Sequence, residues 1–268
     1  MKKIIKWYSE TLNHEIYPDI IHLPGNKNHY DFKPLIYNKY SINKSNFIKP
    51  EYINIITCAT PEYNSILIDQ CNYMNINYIN AYDFYPNKND LIPWKNSNKL
   101  YIYRNILNKF KNNDIIIFLD SRDILIASFN KLKNIRRQLI LYNYIIFGAS
   151  VYDFPLLFDN DLKPKINIRN LLQSNLNSGV IIGKKEVLVK LFDDAINILN
   201  TNEYNGIKLN KNYLCSDQYI FKCLFQSNKY HTNIILDELS NIIFTANGFN
   251  YEETDHEIIF KSGKKILI

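Results

Sequence analysis

The sequence has few cysteines and no long apolar run. Its four cysteines show neither the C-x-x-C spacing of a zinc site nor the density of a disulfide scaffold. No stretch approaches the roughly 20 apolar residues that a membrane span needs. The chain starts with positive charge, but Lys6, Ser9 and Glu10 interrupt any apolar signal-peptide segment. These absences predict a soluble, cytoplasmic protein with reduced thiols and no membrane span.

The sequence also lacks a basic stripe, although its formal net charge is +6. The lysines are scattered among Asn, Ile and Tyr, which argues against nucleic acid as a partner. A mild positive field favours an anionic substrate such as a nucleotide diphosphate, because field lines concentrate in clefts. Hydrophobic residues make up 46% of the chain and aromatic residues 14%. That apolar content excludes disorder and supports one substantial core.

Two regions differ in pattern along the chain. Residues 1–50 lack sustained periodicity, so we expect an irregular N-terminal extension packed on the main domain. Residues 51–268 form the predicted main domain, in which short β-branched runs alternate with longer amphipathic stretches. This alternation is typical of an α/β domain and favours parallel strands with helices on both faces. Ligands of such open sheets bind at the carboxyl ends of the strands.

The elements of the main domain follow from these runs. The predicted strands are Ile53–Cys58, Ile76–Ala81, Ile115–Leu119, Tyr144–Gly148, Gly179–Ile182 and Ile234–Leu236. The predicted helices are Glu62–Tyr73, Lys99–Phe110, Phe129–Leu141, Lys184–Leu199 and Ser216–Phe225.

Two carboxylates follow the third predicted strand. Asp120 and Asp123 stand three residues apart, so a turn can bring both to one hard divalent cation, Mg²⁺ or Mn²⁺. A purely structural interpretation is that Asp120 caps a helix and Asp123 pairs with a basic residue. A phosphatase of the haloacid dehalogenase type is a further alternative. That class has its second aspartate two residues after the first, where this chain has Arg122.

Further segments occur in a fixed order over roughly residues 53–245. They are I-I-T-C-A-T at 55–60, Lys99 at a helix start, F-L-D-S-R-D at 118–123, F-G-A-S at 147–150 with F-P at 154–155, L-N-S-G-V-I-I-G at 176–183, S-D-Q at 216–218, and the run 237–244. Together these segments resemble the glycosyltransferase domain of the procollagen galactosyltransferase and lysyl hydroxylase families. The resemblance implies a GT-A-like, Rossmann-type mixed sheet flanked by helices.

The resemblance also implies roles at the matching positions. Asp120 and Asp123 would bind Mn²⁺ or Mg²⁺, and the UDP-sugar would be contacted by Cys58, Ala59, Thr60, Lys99, Ser121, Ser178, Gly179 and Gln218. Asn177 and Asp217 would lie at the transferred sugar. An amide, a hydroxyl and a glycine are chemically suited to contact sugar oxygens closely. The structural alternatives are an ordinary turn at residues 177–179, a solvated Lys99 and a helix-capping Asp217.

The chain departs from that family's pattern at several positions. Ala149-Ser150 replaces A-E, and Asp153-Phe154-Pro155 replaces C-W-P, so the sugar preference is expected to differ. The family completes its metal site with a histidine near its C-terminus, for which His256 is the only nearby candidate here. The other histidines, His14, His22, His29 and His231, form no recognisable ligand motif, and each is expected at the surface or in the core.

The expected activity is transfer of a hexose from a UDP-sugar to a hydroxyl of a protein or glycan, by analogy hydroxylysine in collagen-like sequence. The alternative is a non-catalytic or impaired relative that binds a nucleotide-sugar or glycan without turnover. The missing C-terminal histidine motivates this alternative.

Overall fold

The computed structural model describes residues 4–9, 14–24, 49–62, 65–150, 175–226, 229–230, 232–246, 249–253 and 257–262. The helices among them are α1 (Ile66–Met74), α2 (Asn98–Ile106), α3 (Asn130–Tyr142), α4 (Lys185–Thr201) and α5 (Asp217–Phe225). Short 3-10 turns span Ala81–Phe84, Lys88–Leu91 and Leu107–Lys109. Within the described residues, none of the helices has both the length and the apolar character that crossing a bilayer requires.

The strands belong to four separate sheets. They are β1 (Ile4–Ser9), β2 (His14–Ile16), β3 (Ile20–His22), β4 (Ile53–Thr57), β5 (Tyr78–Asn80), β6 (Ile115–Leu119), β7 (Ile124–Ile126), β8 (Ile145–Ser150), β9 (Asn175–Lys184), β10 (Glu203–Tyr204), β11 (Ile207–Lys208), β12 (Ile234–Asp237), β13 (Ile243–Thr245), β14 (Phe249–Glu253) and β15 (Glu257–Ser262). A four-stranded sheet has the order β14-β15-β1-β2, and β10 pairs only with β11.

A six-stranded mixed sheet, ordered β12-β8-β9-β6-β4-β5, forms the centre of the molecule. Each of its strands overlaps one predicted from the sequence. The pairs β4–β5, β4–β6 and β8–β12 are parallel, as expected. Strand β9 is antiparallel to both β6 and β8, which corrects the expectation of parallel strands. Because β9 runs in the opposite direction, its first residues lie beside the carboxyl end of β6.

The central strand β6 contributes to an apolar core on each face of the sheet. Ile116 and Phe118 point to the face covered by α2, α4 and α5. Ile115, Ile117 and Leu119 point to the face covered by α1 and α3. All five side chains are buried, as expected for a strand that is covered by helices on both faces. This burial on both faces holds the end of β6, and therefore Asp120, in a fixed position.

The N-terminal segment is not irregular where the structure describes it. Strand β3 pairs in parallel with β13 and antiparallel with β7, and Ile20 and Ile21 are both buried. The buried carboxylate of Asp19 accepts hydrogen bonds from the Leu132 amide, at 2.7 Å in the first turn of α3, and from the Ser128 hydroxyl. A three-residue strand is too short to show a two-residue period in the sequence. The domain boundary near residue 50 stays a prediction.

Candidate metal centre and adjoining cleft

The turn after β6 is held by contacts from three other parts of the chain. The Asp120 amide donates to the Gly179 carbonyl, at 2.9 Å, across to β9. The Ser65 hydroxyl, which caps α1, donates to the Ser121 carbonyl at 2.7 Å. The Leu23 amide, just after β3, donates to the Asp123 carbonyl at 2.8 Å. The backbone carrying both aspartates is therefore fixed on three sides.

His22 joins the two aspartates at this turn. One ligand atom from each of His22, Asp120 and Asp123 lies within 4.8 Å of the other two. The antiparallel register places His22 opposite Ile124, the residue that follows Asp123. The imidazole Nε2 is 3.4 Å from an Asp123 carboxylate oxygen. We name these three residues the metal triad.

The His22 ring is an unusual buried group. Its side chain is only 3% exposed, and Nε2 has the Asp123 carboxylate at 3.4 Å without the geometry of a full hydrogen bond. Nδ1 has no hydrogen-bond partner within the described part of the chain. A buried polar group without a partner carries a free-energy cost, and a missing ion is one of its ordinary explanations. The sequence placed His22 at the surface or in the core without any ligand cluster. The structure places it in the core and brings it together with the predicted metal ligands.

Gly179 makes room for the His22 ring. A Cβ atom built on Gly179 would lie 2.2 Å from Cε1 and 2.6 Å from Nε2 of His22. These distances are far below van der Waals contact, so any side chain at residue 179 would displace the imidazole. The predicted role of Gly179 was to let backbone approach a sugar. The close approach that the structure describes is to the histidine.

Lys99 occupies the centre of an ion-pair network beside the metal triad. Its ammonium is 2.7 Å from an Asp120 carboxylate oxygen and 3.1 Å from one of Asp217. The Ser97 amide donates to the Cys215 carbonyl at 3.0 Å, which brings the start of α2 close to the start of α5. The Lys99 side chain is 9% exposed, so it is not a solvated helix lysine. Lys99 connects a predicted metal ligand to the predicted sugar-binding acid.

The charges of this network change the protonation of its members. Burial lowers the pKa of Lys99, but the carboxylates of Asp120 and Asp217 outweigh it and raise the pKa well above its ordinary value. Burial likewise lowers the pKa of His22, and Asp123 with Asp120 raises it above the ordinary value. Burial raises the pKa of Asp120, with Lys99 acting in the opposite direction. A divalent cation among these groups would favour the neutral imidazole and the ionised carboxylate.

A cleft of about 260 Å³ opens next to the metal triad. Its lining consists of Cys58, Thr60, Trp94, Asn96, Lys99, Asp120, Ser121, Arg122 and Asp123. We name it the Asp120 cleft. Trp94 and Asn96 carried no signal in the sequence analysis, because they lie in a loop without a motif. The Trp94 ring packs edge-on against Tyr82, with ring centroids 6.3 Å apart.

The residues predicted to contact the nucleotide differ in whether they line the Asp120 cleft. Thr60 and Ser121 line the Asp120 cleft directly. Cys58 also lines it, and burial raises the pKa of its thiol to about 12, so the thiol is not a nucleophile. The backbone N–H and C=O of Ala59 both bond the side chain of Asn80, at 2.9 and 3.0 Å. The Ala59 N–H is therefore already used, and its carbonyl keeps one lone pair with which to accept from a ligand.

The residues predicted to contact the sugar make hydrogen bonds and ion pairs with one another and with Lys99. The Asn177 side-chain oxygen accepts from the Gly179 amide at 3.0 Å, and that of Gln218 accepts from the Ser178 amide at 3.1 Å. These bonds fix the beginning of β9 against α5. Asp217 lies in the first turn of α5 and reaches Lys99. The expectation that Asp217 caps the helix is corrected: the N-cap is Ser216, whose hydroxyl accepts from the Tyr219 amide, and Asp217 is the first residue of the helix.

Seven residues named in the sequence analysis lie outside the described residues: Glu10, His29, Asp153, Phe154, Pro155, His231 and His256. Within the described part, two carboxylates and one imidazole form a donor set that suits Mn²⁺, a metal that accepts oxygen and nitrogen ligands. A cationic side chain and an aromatic ring stand beside that set. In comparisons with known proteins, no protein-family model and no curated protein matches this chain.

Proposed function

We propose that this chain is a metal-dependent glycosyltransferase with a GT-A-like domain that moves a hexose from a UDP-sugar to a hydroxyl acceptor. The observation that carries the proposal is the metal triad, two of whose members, Asp120 and Asp123, line the Asp120 cleft. The sequence resemblance names the donor, and the triad supplies three candidate protein ligands for the ion. The mixed sheet with its acids at a strand end is compatible with this type of domain.

Manganese fits the donor atoms of the metal triad better than magnesium does. Magnesium prefers an octahedron of oxygens, whereas the triad includes an imidazole nitrogen. The observation that favours an ion over an ordinary acidic turn is the buried His22 ring, neither of whose nitrogens makes a hydrogen bond of full geometry within the described residues. When bound, the ion would neutralise charge on the leaving diphosphate. The same ion would balance the carboxylates of Asp120 and Asp123.

The protein's own residues have distinct roles in the proposed reaction. Lys99 offers an ammonium at the cleft, where it can stabilise a phosphate oxygen. Trp94 lines the cleft, and an aromatic ring there is suited to stacking on a nucleobase. Asp217 pairs with the same ammonium at 3.1 Å, and in the proposed reaction its carboxylate would accept a hydrogen bond from the transferred sugar. Holding the sugar in one orientation reduces the entropic part of the barrier.

The acceptor is assigned only by chemical class. A hydroxyl on a protein side chain or a growing glycan is the group that a sugar transferase of this kind uses. Hydroxylysine of a collagen-like protein is the candidate that the sequence resemblance supplies.

The direct test is a screen of UDP-sugars for UDP release in the presence of Mn²⁺. We expect release with at least one sugar, and its loss in Asp120→Asn and His22→Gln. Asp90→Asn is the matched control because this acid is exposed and outside the Asp120 cleft. Release that survives in Asp120→Asn would contradict the metal assignment. The best donor is then incubated with hydroxylysine peptides, and the products are weighed by mass spectrometry.

The same experiment separates the alternative functions. A non-catalytic relative would bind Mn²⁺ and UDP in calorimetry but release no UDP from any UDP-sugar. A phosphatase would release phosphate from small esters without a nucleotide. The non-catalytic alternative was motivated by a missing third ligand, and His22 now offers one.

A further inference from the structure

Lys99 and a divalent cation would share one carboxylate. The Lys99 ammonium lies 2.7 Å from one oxygen of Asp120, which is also a member of the metal triad. The second ion pair, 3.1 Å long, ties the same ammonium to Asp217. An ion bound to the triad would therefore face a fixed positive charge across a single carboxyl group.

The charge balance of the site changes with its occupants. Asp120, Asp123 and Asp217 supply three negative charges in their ionised forms, and Lys99 supplies one positive charge. A divalent ion added to these four groups brings the sum to zero, with His22 neutral as a metal ligand must be. These four groups with the ion no longer repel an anionic diphosphate, and Arg122, which also lines the cleft, adds a further positive charge. Without Lys99 the three carboxylates and the ion would carry a net negative charge.

We propose that Lys99 sets the order of binding: it weakens binding of the metal ion alone and strengthens binding of the ion together with a nucleoside diphosphate. This inference rests on the proposed function, because it takes the metal triad as the ion's site. In this role Lys99 is a specificity-determining residue for the metal–nucleotide pair. Without nucleotide, the protein would bind little metal ion at low concentration. It would bind the ion mainly together with the nucleotide.

The positive charge of Lys99 explains both its unfavourable effect on binding of the metal ion alone and its favourable effect on binding of the nucleotide. The ammonium repels the divalent ion and also occupies a carboxylate oxygen that would otherwise be available to it. The same ammonium attracts the diphosphate, which arrives in the cleft that Lys99 lines. The Lys99 side chain is only 9% exposed, so water screens these interactions less than at the surface. Loss of folding or of general packing would weaken both kinds of binding together.

Calorimetry on the full chain tests the proposal with two titrations, Mn²⁺ alone and UDP in saturating Mn²⁺. In Lys99→Met we expect Mn²⁺ alone to bind on the order of tenfold more tightly, and UDP on the order of tenfold more weakly. Lys99→Arg keeps the positive charge. Like the wild type, it should bind Mn²⁺ alone more weakly, and UDP more tightly, than Lys99→Met does. Lys133→Met, which removes an exposed lysine on α3, is the control for net charge and should change neither affinity by more than about twofold.

The outcomes distinguish this inference from the proposed function. If the wild type and Lys99→Met both bind no Mn²⁺, the metal triad is wrong and the inference falls with it. If both bind Mn²⁺ with equal affinity, the triad stands and the role of Lys99 is overturned. Should Lys99→Met fail to fold, Asp217→Asn replaces it. That variant removes the charge of one of the two carboxylates that pair with the ammonium among the described residues, and Mn²⁺ alone should bind roughly tenfold more weakly.

Discussion

At the scale of single residues, the contact between Gly179 and His22 offers a sharp test of the metal triad. In Gly179→Ala the new methyl group would overlap the imidazole, whose Cε1 lies 2.2 Å from the built Cβ. The ring must move away from Asp120 and Asp123, and we expect Mn²⁺ affinity to fall by about tenfold or more. Calorimetry with Mn²⁺ measures the change, and circular dichroism verifies that the helices and strands remain.

Gly206→Ala is the matched control for that substitution. Gly206 has a φ of +78° and no atom within 4 Å of a built Cβ. Alanine there strains the backbone by about 1 kcal/mol without touching any side chain. We expect the control to lower stability slightly and to leave Mn²⁺ affinity unchanged. Equal losses of affinity in the two variants would show that the effect at residue 179 is a general loss of stability.

The sequence predicted part of the candidate site and missed part of it, for a physical reason. Asp120 and Asp123 were predictable because an apolar strand ends at them, and strand ends in open sheets carry ligands. His22 was not predictable, because nothing close to it in the chain is a ligand. Its position depends on a long-range register, His22 opposite Ile124. The local pattern contains no information on that pairing.

At the scale of elements, the buried carboxylate of Asp19 connects β3 to α3. We expect Asp19→Ala to lower the free energy of unfolding by about 2–4 kcal/mol, because the Leu132 amide and the Ser128 hydroxyl lose their acceptor in the interior. Chemical denaturation measures the loss. Asp114→Ala is the comparison, since its carboxylate accepts only an exposed bond from the Lys111 amide. There the cost should stay below about 1 kcal/mol.

The strands and helices of the central sheet were predictable because their apolar periods are strong. The predicted Ile115–Leu119 strand is confirmed without a change of bounds, and its five side chains are all buried. The direction of β9 could not be predicted, because an apolar strand has the same pattern whichever way it runs. Strand β7 was missed, since Ile124–Ile126 is too short for a period. Short strands depend on partners far along the chain.

At the scale of the whole molecule, an ion in the metal triad would bind residues from both regions of the chain. At Mn²⁺ concentrations 100-fold above the dissociation constant, linkage adds about 2.7 kcal/mol to the free energy of unfolding. For a chain of this size that corresponds to a rise in Tm of roughly 5–10 °C. Thermal unfolding with Mn²⁺ and then with excess EDTA measures the rise and its reversal.

His22→Gln is the informative variant for this measurement. The substitution removes the only triad member from the N-terminal segment, and the rise in Tm with Mn²⁺ should fall to a small fraction of the wild-type value. Asp90→Asn should retain the full rise, because this exposed acid lies outside the triad. An unchanged rise in His22→Gln would mean that the ion binds elsewhere.

The position of His22 on β3 has a consequence for how this protein matures. Its ring and the acids at the end of β6 are contributed by distant stretches of polypeptide, and they meet only after β3 has inserted between β13 and β7. A chain that is still being synthesised or is only partly folded would therefore have the two carboxylates of the metal triad without its imidazole. We therefore expect a chain in which β3 is not paired to bind Mn²⁺ more weakly than the folded protein does.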